Sequence, residues 1–193
     1  MILTDDTKLE QYCRSLRAHG WIRDLPDNNH IHDKTGDPFE DSFKFVLPGY
    51  CVRPLEMSGA IGSVQLEKMD RMMAQRRYNA GLMMSLMRDV KDIKLQQEQG
   101  NSSWFGFSLL LENSLEGKRS ELVRLLAEQG IETRPIVAGN FTKNPVIKHM
   151  PHRISGELKE AEYIDANGLF VGNDSKEMPD QISLLVDVLR NFK

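Results

Sequence analysis

The stretch that decides the fold is LPGYCVRPLEMSGAIGSVQLEKMDRMMAQRRY, residues 47–78. It opens with a turn, and Pro54 then precedes a long run of helix-forming residues, where proline suits the first helical turn. Gly59 and Gly62 each lower helix stability by about 1 kcal/mol, so we expect a neighbouring element to pack closely against them. Apolar residues recur at a spacing close to 3.6 and predict a central core helix: Met57, Ala60, Ile61, Val64, Met69, Met72 and Met73.

We expect this helix to continue to about Val90, with an interruption or kink near Gly81. Most of the ten methionines of the chain lie between Met57 and Met87. Methionine fills irregular gaps, so the pattern favours a packed or subunit-facing surface over a ligand-binding stripe.

The segment before this stretch begins with a short apolar run at residues 1–4, which we interpret as the end of a strand. A helix is predicted from Lys8 to about His19, with Asp6 or Thr7 as its cap and Gly20 as its stop.

Residues 21–41 are polar and rich in turn-forming residues, which predicts a loop. His30 and His32 lie in this loop, but no acidic or cysteine partner has a suitable metal-binding spacing, so we expect exposed histidines. The two cysteines, Cys13 and Cys51, form no CxxC pair, which favours a reducing cytoplasm.

From residue 91 onward, short strands alternate with helices and predict a small α+β domain. Trp104 and Phe105 are expected to be core residues first and a platform for a sugar or nucleobase second. The expected strands are 93–99, 104–111, 131–137 and 169–173, and the expected helices are 118–129, 157–167 and 179–192, with a short irregular or helical piece at 144–149.

Bulk composition excludes several classes of function. The chain has 193 residues and a net charge of −3, with 25 basic and 28 acidic residues. This balance gives no electrostatic reason to expect nucleic acid or an anionic membrane surface as a partner. No apolar run of transmembrane length and no signal pattern is visible, so we expect a cytoplasmic protein.

Candidate binding residues lie at the ends of the expected elements. His19 and Arg23 are one helical turn apart and suit a phosphate or diphosphate, although both also fit an ordinary surface. Arg134 and Asn140 flank a turn after an expected strand, where backbone and amide groups suit a sugar diphosphate. A plain turn is the alternative interpretation.

Four segments together identify a family resemblance: residues 14–21 (RSLRAHGW), 45–65, 103–107 (SWFGF) and 134–140 (RPIVAGN). In combination they resemble the DegT/StrS-type family of pyridoxal-phosphate sugar aminotransferases and sugar dehydratases. The likeness runs from about Leu3 to the C-terminus and is strongest to the nucleotide-sugar 3-dehydratases.

The resemblance implies the C-terminal portion of a fold-type-I transferase with α/β and α+β parts. Residues 1–53 correspond to the end of the pyridoxal-phosphate-binding large domain and its active-site loop. Residues 54–90 correspond to a long linking helix, and residues 91–193 to a small C-terminal α+β domain.

The same resemblance implies a dehydratase that uses pyridoxal phosphate or pyridoxamine phosphate in deoxysugar synthesis for lipopolysaccharide O-antigen. Its expected partners are a nucleotide-diphosphate sugar, glutamate as amino donor and a second copy in a homodimer. The catalytic residue, a histidine in dehydratases and a lysine in aminotransferases, would lie upstream of Met1, so we expect the isolated chain to be incomplete and inactive. No iron–sulfur cluster is expected, because a related branch holds one on cysteines that are absent here.

Two alternatives remain open at this point. One is the C-terminal part of a sugar aminotransferase similar to perosamine synthases. The other is a non-catalytic module for dimerisation or for binding a nucleotide sugar.

The resemblance also assigns site residues. His19, Arg23, Arg134 and Asn140 match positions that face the nucleotide sugar.

Cys51 and Arg53 match positions that contact the cofactor phosphate or substrate. The family normally has asparagine at the position of Cys51, and a thiol cannot replace the amide donor. A small buried filler is the alternative for Cys51, and a surface ion pair is the alternative for Arg53.

Overall fold

The computed structural model describes residues 2–193 and divides into two compact units, Met1–Leu66 and Glu67–Lys193. The domain boundaries expected at residues 53 and 90 stay predictions. The strand end expected at residues 1–4 includes Met1, which lies outside the described residues, and residues 2–4 have irregular backbone. No described strand pairs with residues 2–4, and a segment without a pairing partner forms no regular strand.

The first unit begins with helix α1, Thr7–Leu16. Asp6 caps it, because one side-chain oxygen accepts from the backbone N–H groups of Lys8 at 2.8 Å and Leu9 at 3.1 Å. The helix ends earlier than expected, since His19 has a φ of +62° and cannot continue a right-handed helix. The loop predicted over residues 21–41 is confirmed for most of its length and ends in a short helix α2, Pro38–Ser42.

The long helix expected from residue 55 to 90 is wrong as a single element. It consists of α3, Glu56–Glu67, and α4, Met69–Leu86, separated at Lys68, and a short 3-10 turn follows at Met87–Asp89. Gly81 lies within α4 and causes no break. Its cost of about 1 kcal/mol is outweighed because α4 packs against the C-terminal helix of its own unit.

The core role expected for α3 is also wrong for the described structure. None of the described residues of α3 is buried, and Met57 and Ile61 are 72% and 64% exposed. A Cβ added at Gly59 or at Gly62 would meet no described neighbouring heavy atom within 4 Å. The apolar period of this helix therefore marks a face that no described element covers.

The second unit is an antiparallel four-stranded sheet with helices, which confirms the α+β prediction. Its strands are β1 Ile93–Leu95, β2 Gly106–Leu111, β3 Thr133–Arg134 and β4 Gly168–Gly172. The strand order is β1-β2-β4-β3, so β1 and β3 lie at the edges, and both are shorter than expected. The helices are α5 Arg119–Glu128, α6 Lys159–Asn167 and α7 Pro179–Asn191, with 3-10 turns at Asn113–Leu115, Phe141–Lys143 and Pro145–His149.

The core of the second unit lies on one face of this sheet. Alternate residues of β2 and β4 point into it, and α4, α5 and α7 contribute the rest. Trp104 is buried as expected, but Phe105 is 70% exposed, which corrects its assignment to the core. Trp104 has a φ of +53°, so the chain turns there and directs the next side chain outward. The largest fully buried side chains include Phe107, Leu109, Leu111, Leu122, Leu126, Leu169, Ile182 and Leu189.

No helix among residues 2–193 is both long enough and apolar enough to cross a membrane. Within the same residues, no three His, Cys, Asp or Glu side chains are grouped so that they could hold a metal ion.

Candidate functional site

Two glycines bring separate segments of the first unit together. An added Cβ at Gly20 would lie 1.8 Å from the carbonyl oxygen of Leu47, and one at Gly49 would lie 2.0 Å from the backbone nitrogen of Gly20. Gly20 also has a φ of +81°, which side-chain-bearing residues rarely adopt. Only glycine at both positions allows the turn after residue 47 to pass this close to the end of α1.

Backbone hydrogen bonds fix the register between the end of α1 and the turn after residue 47. The N–H of His19 donates to the carbonyl of Tyr50 at 2.9 Å, and the N–H of Tyr50 donates to the carbonyl of Leu16 at 2.7 Å. Isolated bridges join Ala18 to Cys51 and residue 21 to residue 45. His19 and Cys51, predicted separately from sequence, therefore lie on paired segments.

Trp21 is the centre of an aromatic cluster in this unit. The guanidinium of Arg23 lies over its indole ring at 3.5 Å from the centroid, and the His19 ring lies 5.0 Å away, tilted by 35°. Phe43 and Phe45 approach the indole edge-on at 5.9 and 5.8 Å. His19 and Arg23 thus each contact Trp21 and lie outside any helix, which corrects the helical spacing assumed from sequence, and their joint contact with a phosphate stays a prediction.

The positive charge in this cluster is only partly compensated. Asp24 lies between two arginines, 3.7 Å from Arg23 Nε and 3.7 Å from Arg53 Nη2. These separations exceed hydrogen-bonding distance, and the buried Oδ2 of Asp24 has no hydrogen-bond partner in the described part of the chain. Two guanidinium groups share one carboxylate, so this region suits an incoming phosphate.

Cys51 is exposed, so it is not the buried filler that the sequence left as its alternative. Cys51 and Arg53 are the two residues expected at the cofactor phosphate, and of these two only Arg53 is charged. Its side chain is 46% exposed. The surface ion pair considered for Arg53 is present, although it is long.

Arg134 and Asn140 belong to the second unit, and the structure gives them different environments. Arg134 lies in β3 and contacts the Glu132 carboxylate through Nη2 at 3.0 Å and Nε at 3.3 Å. Its side chain is 70% exposed, so it is accessible to a ligand at the cost of a surface ion pair.

Asn140 is 5% exposed, and its Oδ1 accepts from the N–H of Thr142 at 3.2 Å and the hydroxyl of Thr142 at 2.8 Å. Its buried Nδ2 has no hydrogen-bond partner among the described residues. The turn expected at Gly139 and Asn140 is present, since the N–H of Gly139 donates to the carbonyl of Ile136 at 2.9 Å. Contact between the Asn140 side chain and a substrate stays a prediction.

A carboxylate that the sequence analysis did not single out lies beside this turn. Asp165 Oδ2 is 3.2 Å from Lys143 Nζ. The backbone N–H of Asn140, followed by the hydrogen bond from Lys143, holds the pKa of Asp165 below its ordinary value of 3.8. Nothing in the spacing of residues 140 and 165 signals this pairing, because it depends on where α6 packs.

Trp21, Phe43 and Phe45 were also missed as possible site residues. Their signal in the sequence is three aromatic residues within and just after a polar loop, where core side chains are not expected. Phe43 and Phe45 are 69% and 59% exposed, which makes them available to a planar ligand.

The described residues can be tested against pyridoxal phosphate. That cofactor needs a phosphate cradle, a surface for its ring and an acidic partner for the pyridine nitrogen. Cys51 and Arg53 offer one cation and no side-chain amide donor, and both lie at the surface. Cys51 and Arg53 therefore do not fit a complete phosphate cradle by themselves, and the expectation that the catalytic residue lies upstream of Met1 stays a prediction.

Comparisons with known proteins extend this picture. The DegT/DnrJ/EryC1/StrS aminotransferase family profile matches residues 1–190. The chain is 52% identical over 191 residues to a GDP-4-keto-6-deoxy-D-mannose 3-dehydratase of Yersinia pseudotuberculosis, covering 98% of this chain and 49% of that protein. The chain thus spans about half the length of the curated relatives that it matches.

Solved structures of 3-dehydratases also match this chain. The Escherichia coli GDP-4-keto-6-deoxy-D-mannose-3-dehydratase with bound hydrated PLP matches with a TM-score of 0.90 and 48% identity, over 97% of this chain and 49% of that one. A GDP-4-keto-6-deoxymannose-3-dehydratase with a trapped PLP-glutamate geminal diamine matches with a TM-score of 0.89, the same identity and the same coverage.

Proposed function

We propose that this chain, which belongs to the DegT/DnrJ/EryC1/StrS aminotransferase family, is the C-terminal part of a nucleotide-sugar 3-dehydratase. The observation that carries the proposal is its 52% identity over 191 residues to a GDP-4-keto-6-deoxy-D-mannose 3-dehydratase. The complete protein would use pyridoxal phosphate or pyridoxamine phosphate, with glutamate as amino donor, in the cytoplasm. Its product would enter deoxysugar synthesis for lipopolysaccharide.

The role proposed for this chain is to bind the nucleotide-diphosphate sugar. In the first unit, Arg23 and Arg53 share the single carboxylate of Asp24, which leaves positive charge for a diphosphate. In the second unit, Arg134 is exposed and carries a guanidinium that can chelate a phosphate or bridge two sugar hydroxyls. The cofactor supplies the electron sink for loss of the C3 hydroxyl, and the residues that hold it are proposed to lie outside this chain.

A non-catalytic module that binds nucleotide sugars is a second candidate. The observation that favours it is Cys51, an exposed thiol where the family normally has an asparagine. A complementation assay separates the two candidates. The chain is mixed with a polypeptide carrying the part of the Yersinia relative that it does not match, together with pyridoxal phosphate, glutamate and GDP-4-keto-6-deoxymannose.

The 3-dehydratase proposal expects a 3-deoxy product from the mixture and none from either polypeptide alone. Arg23→Gln should lower this turnover, whereas Arg190→Gln, which removes a surface ion pair with Asp187 in α7, should not. A mixture that forms a stable complex and binds GDP-mannose without turnover favours the non-catalytic module. An aminotransferase is distinguished by a lysine in place of histidine at the Schiff-base position of the complete protein.

Cofactor binding by the chain alone gives an independent check. We expect no new absorbance band on titration with pyridoxal phosphate, and no mass increase after borohydride reduction. A stable adduct on one lysine would contradict the proposal, because it would place the Schiff base within these residues.

The proposed assembly is a homodimer. Its support is the uncovered apolar face of α3, where Met57, Ile61 and Leu66 are each more than 60% exposed. Sedimentation velocity tests it, and a monomer at all concentrations would contradict it.

A further inference from the structure

The turn from Ile136 to Gly139 is strained at a residue that gains nothing from burial. Val137 has a φ of +53°, in the left-handed region that a β-branched side chain disfavours strongly. Its side chain is also 95% exposed, so no packing within the described structure compensates for the strain. Such a conformation persists only where surrounding groups determine it, and it commonly marks a functional segment.

Asp165 is the group that lies against this turn. Its Oδ1 is 1.9 Å from the position that a Cβ on Gly139 would occupy, so the carboxylate rests directly on the glycine backbone. Its Oδ2 accepts a hydrogen bond at 3.2 Å from Nζ of Lys143, four residues after Gly139. One side chain of α6 therefore contacts both ends of residues 139–143.

Asp165 is itself held in place by a second element. Arg119, the first residue of α5, donates through Nη1 to the backbone carbonyl of Asp165 and, at 3.3 Å, to that of Gly168. These carbonyls lie at the C-terminal end of α6, where a cation is stabilised by the helix dipole. The last turn of α6 is thus fixed to α5, and the carboxylate has a rigid base.

We infer that Asp165 is a positioning residue that holds the strained turn of residues 136–140 in the conformation that presents Val137 to the nucleotide sugar. This inference rests on the proposed function. It extends that function because it makes Asp165, a residue of α6 outside the turn, responsible for keeping the turn in one conformation. Val137, three residues after Arg134, then offers an apolar contact at the edge of a polar site.

Amide hydrogen exchange on the full chain tests the inference without a ligand. The informative N–H groups are those bonded within the segment: Gly139, Thr142, Lys143 and Asn144. Asp165→Asn is nearly isosteric but loses the charge, and it should speed exchange at these amides by about tenfold or more. Asp187→Asn, which removes an exposed carboxylate in α7, is the matched control and should leave them unchanged.

A second variant separates positioning from general stability. Val137→Gly removes the intrinsic cost of a positive φ, so in the Asp165→Asn background it should restore much of the lost protection. A purely structural role for Asp165 predicts faster exchange in β2 and β4 as well, with no specific recovery. Unchanged exchange at residues 139–144, or equal acceleration throughout the sheet, overturns the inference.

GDP-mannose added to the same samples addresses the link to the ligand. The expected result is chemical-shift changes at the turn amides of the wild type, with weaker binding in Asp165→Asn. A loosened turn with unchanged GDP-mannose affinity overturns the presenting role of Asp165. No binding by the wild type counts against the proposed function instead, while the exchange data still decide whether Asp165 orders the turn.

Discussion

The guanidinium of Arg23 lies over the indole ring of Trp21, with 3.5 Å between Arg23 Cζ and the ring centroid. Stacking of this kind leaves the guanidinium edge free to donate hydrogen bonds in the plane of the group. Asp24 is near enough to attract Arg23 but too far to accept a hydrogen bond from it. The arrangement therefore pre-orients a cation whose donors remain available.

Arg23→Gln is expected to weaken GDP-mannose binding by about tenfold or more, because a charge-assisted hydrogen bond is lost. Arg23→Lys keeps the charge but not the planar stack, so its affinity should lie between those of the wild type and Arg23→Gln. Calorimetric titration measures both, with Arg190→Gln as the control for a surface arginine. Equal affinity for all four proteins would show that Arg23 does not contact the diphosphate.

Much of the second unit could be predicted from sequence because its signals are local. Helices α5, α6 and α7 begin and end within about two residues of the predicted bounds, and β2 is a buried strand as its apolar sequence predicts. The lengths of β1 and β3 could not be predicted, since they depend on which strands lie at the edge of the sheet.

The first unit shows where sequence reasoning fails. The apolar period of α3 indicates a buried face, but periodicity cannot say which element covers that face. His19 and Arg23 have helical spacing but lie in an irregular segment, where each contacts Trp21. In both cases the deciding information lies in tertiary contacts.

Asp41 closes the loop before α2, and its removal should loosen that loop. Its Oδ1 accepts from the N–H and hydroxyl of Thr35, both at 3.1 Å, and its Oδ2 accepts from the N–H of Gly36 at 3.2 Å. Asp41→Asn should accelerate amide exchange at Thr35 and Gly36. Glu40→Gln, a neighbouring exposed substitution, is the control. Unchanged exchange in Asp41→Asn would show that other contacts hold the loop.

The same carboxylate predicts a pH dependence. The backbone N–H of Thr35 is the main cause that holds the pKa of Asp41 below its ordinary value of 3.8. Because the folded-state pKa is the lower one, the stabilisation is present above pH 3.8 and is lost as the pH falls through the folded-state value. Carboxyl carbon NMR should give a titration midpoint below 3.8, and Thr35→Ala should raise it. A midpoint at or above 3.8 would contradict this assignment.

Asn79 should be among the most sensitive polar positions of the second unit. It is fully buried, and its Nδ2 faces Asn173 Oδ1 at 3.0 Å and the carbonyl oxygens of Asp174 at 3.1 Å and Lys176 at 2.8 Å. Asn79→Leu keeps the number and branching of the side-chain heavy atoms but leaves buried acceptors unsatisfied, so we expect a loss of about 3 kcal/mol in the free energy of unfolding.

Urea denaturation followed by Trp104 fluorescence, in a background with Trp21→Phe, reports on this unit specifically. The matched control is Asn191→Leu, because Asn191 also donates to a backbone carbonyl, that of Asp187, but at an exposed site. Its effect should stay within about 0.5 kcal/mol. Similar losses for both variants would mean that burial of the Asn79 network is unimportant.

A position can require glycine because its φ is positive or because a Cβ would overlap a neighbouring group. Substitutions at Gly139 and Gly156 distinguish these two causes. Both have a positive φ, +63° and +73°, but an added Cβ would meet Asp165 only at Gly139, and nothing described lies within 4 Å of one at Gly156. Gly156→Ala should therefore cost only the backbone strain, about 1 kcal/mol. Gly139→Ala adds a steric overlap with a carboxylate and should cost about 3 kcal/mol in total.

The double variant Gly139→Ala with Asp165→Ala then identifies the overlap, because truncating the carboxylate removes the clash. Its loss in the free energy of unfolding should be smaller than the sum of the two single losses by at least about 1 kcal/mol. Combining Gly156→Ala with Asp165→Ala should instead give additive losses, since these positions share no contact. Additivity in both pairs would show that Asp165 can move away from the turn freely, and that the turn owes its conformation to its own backbone.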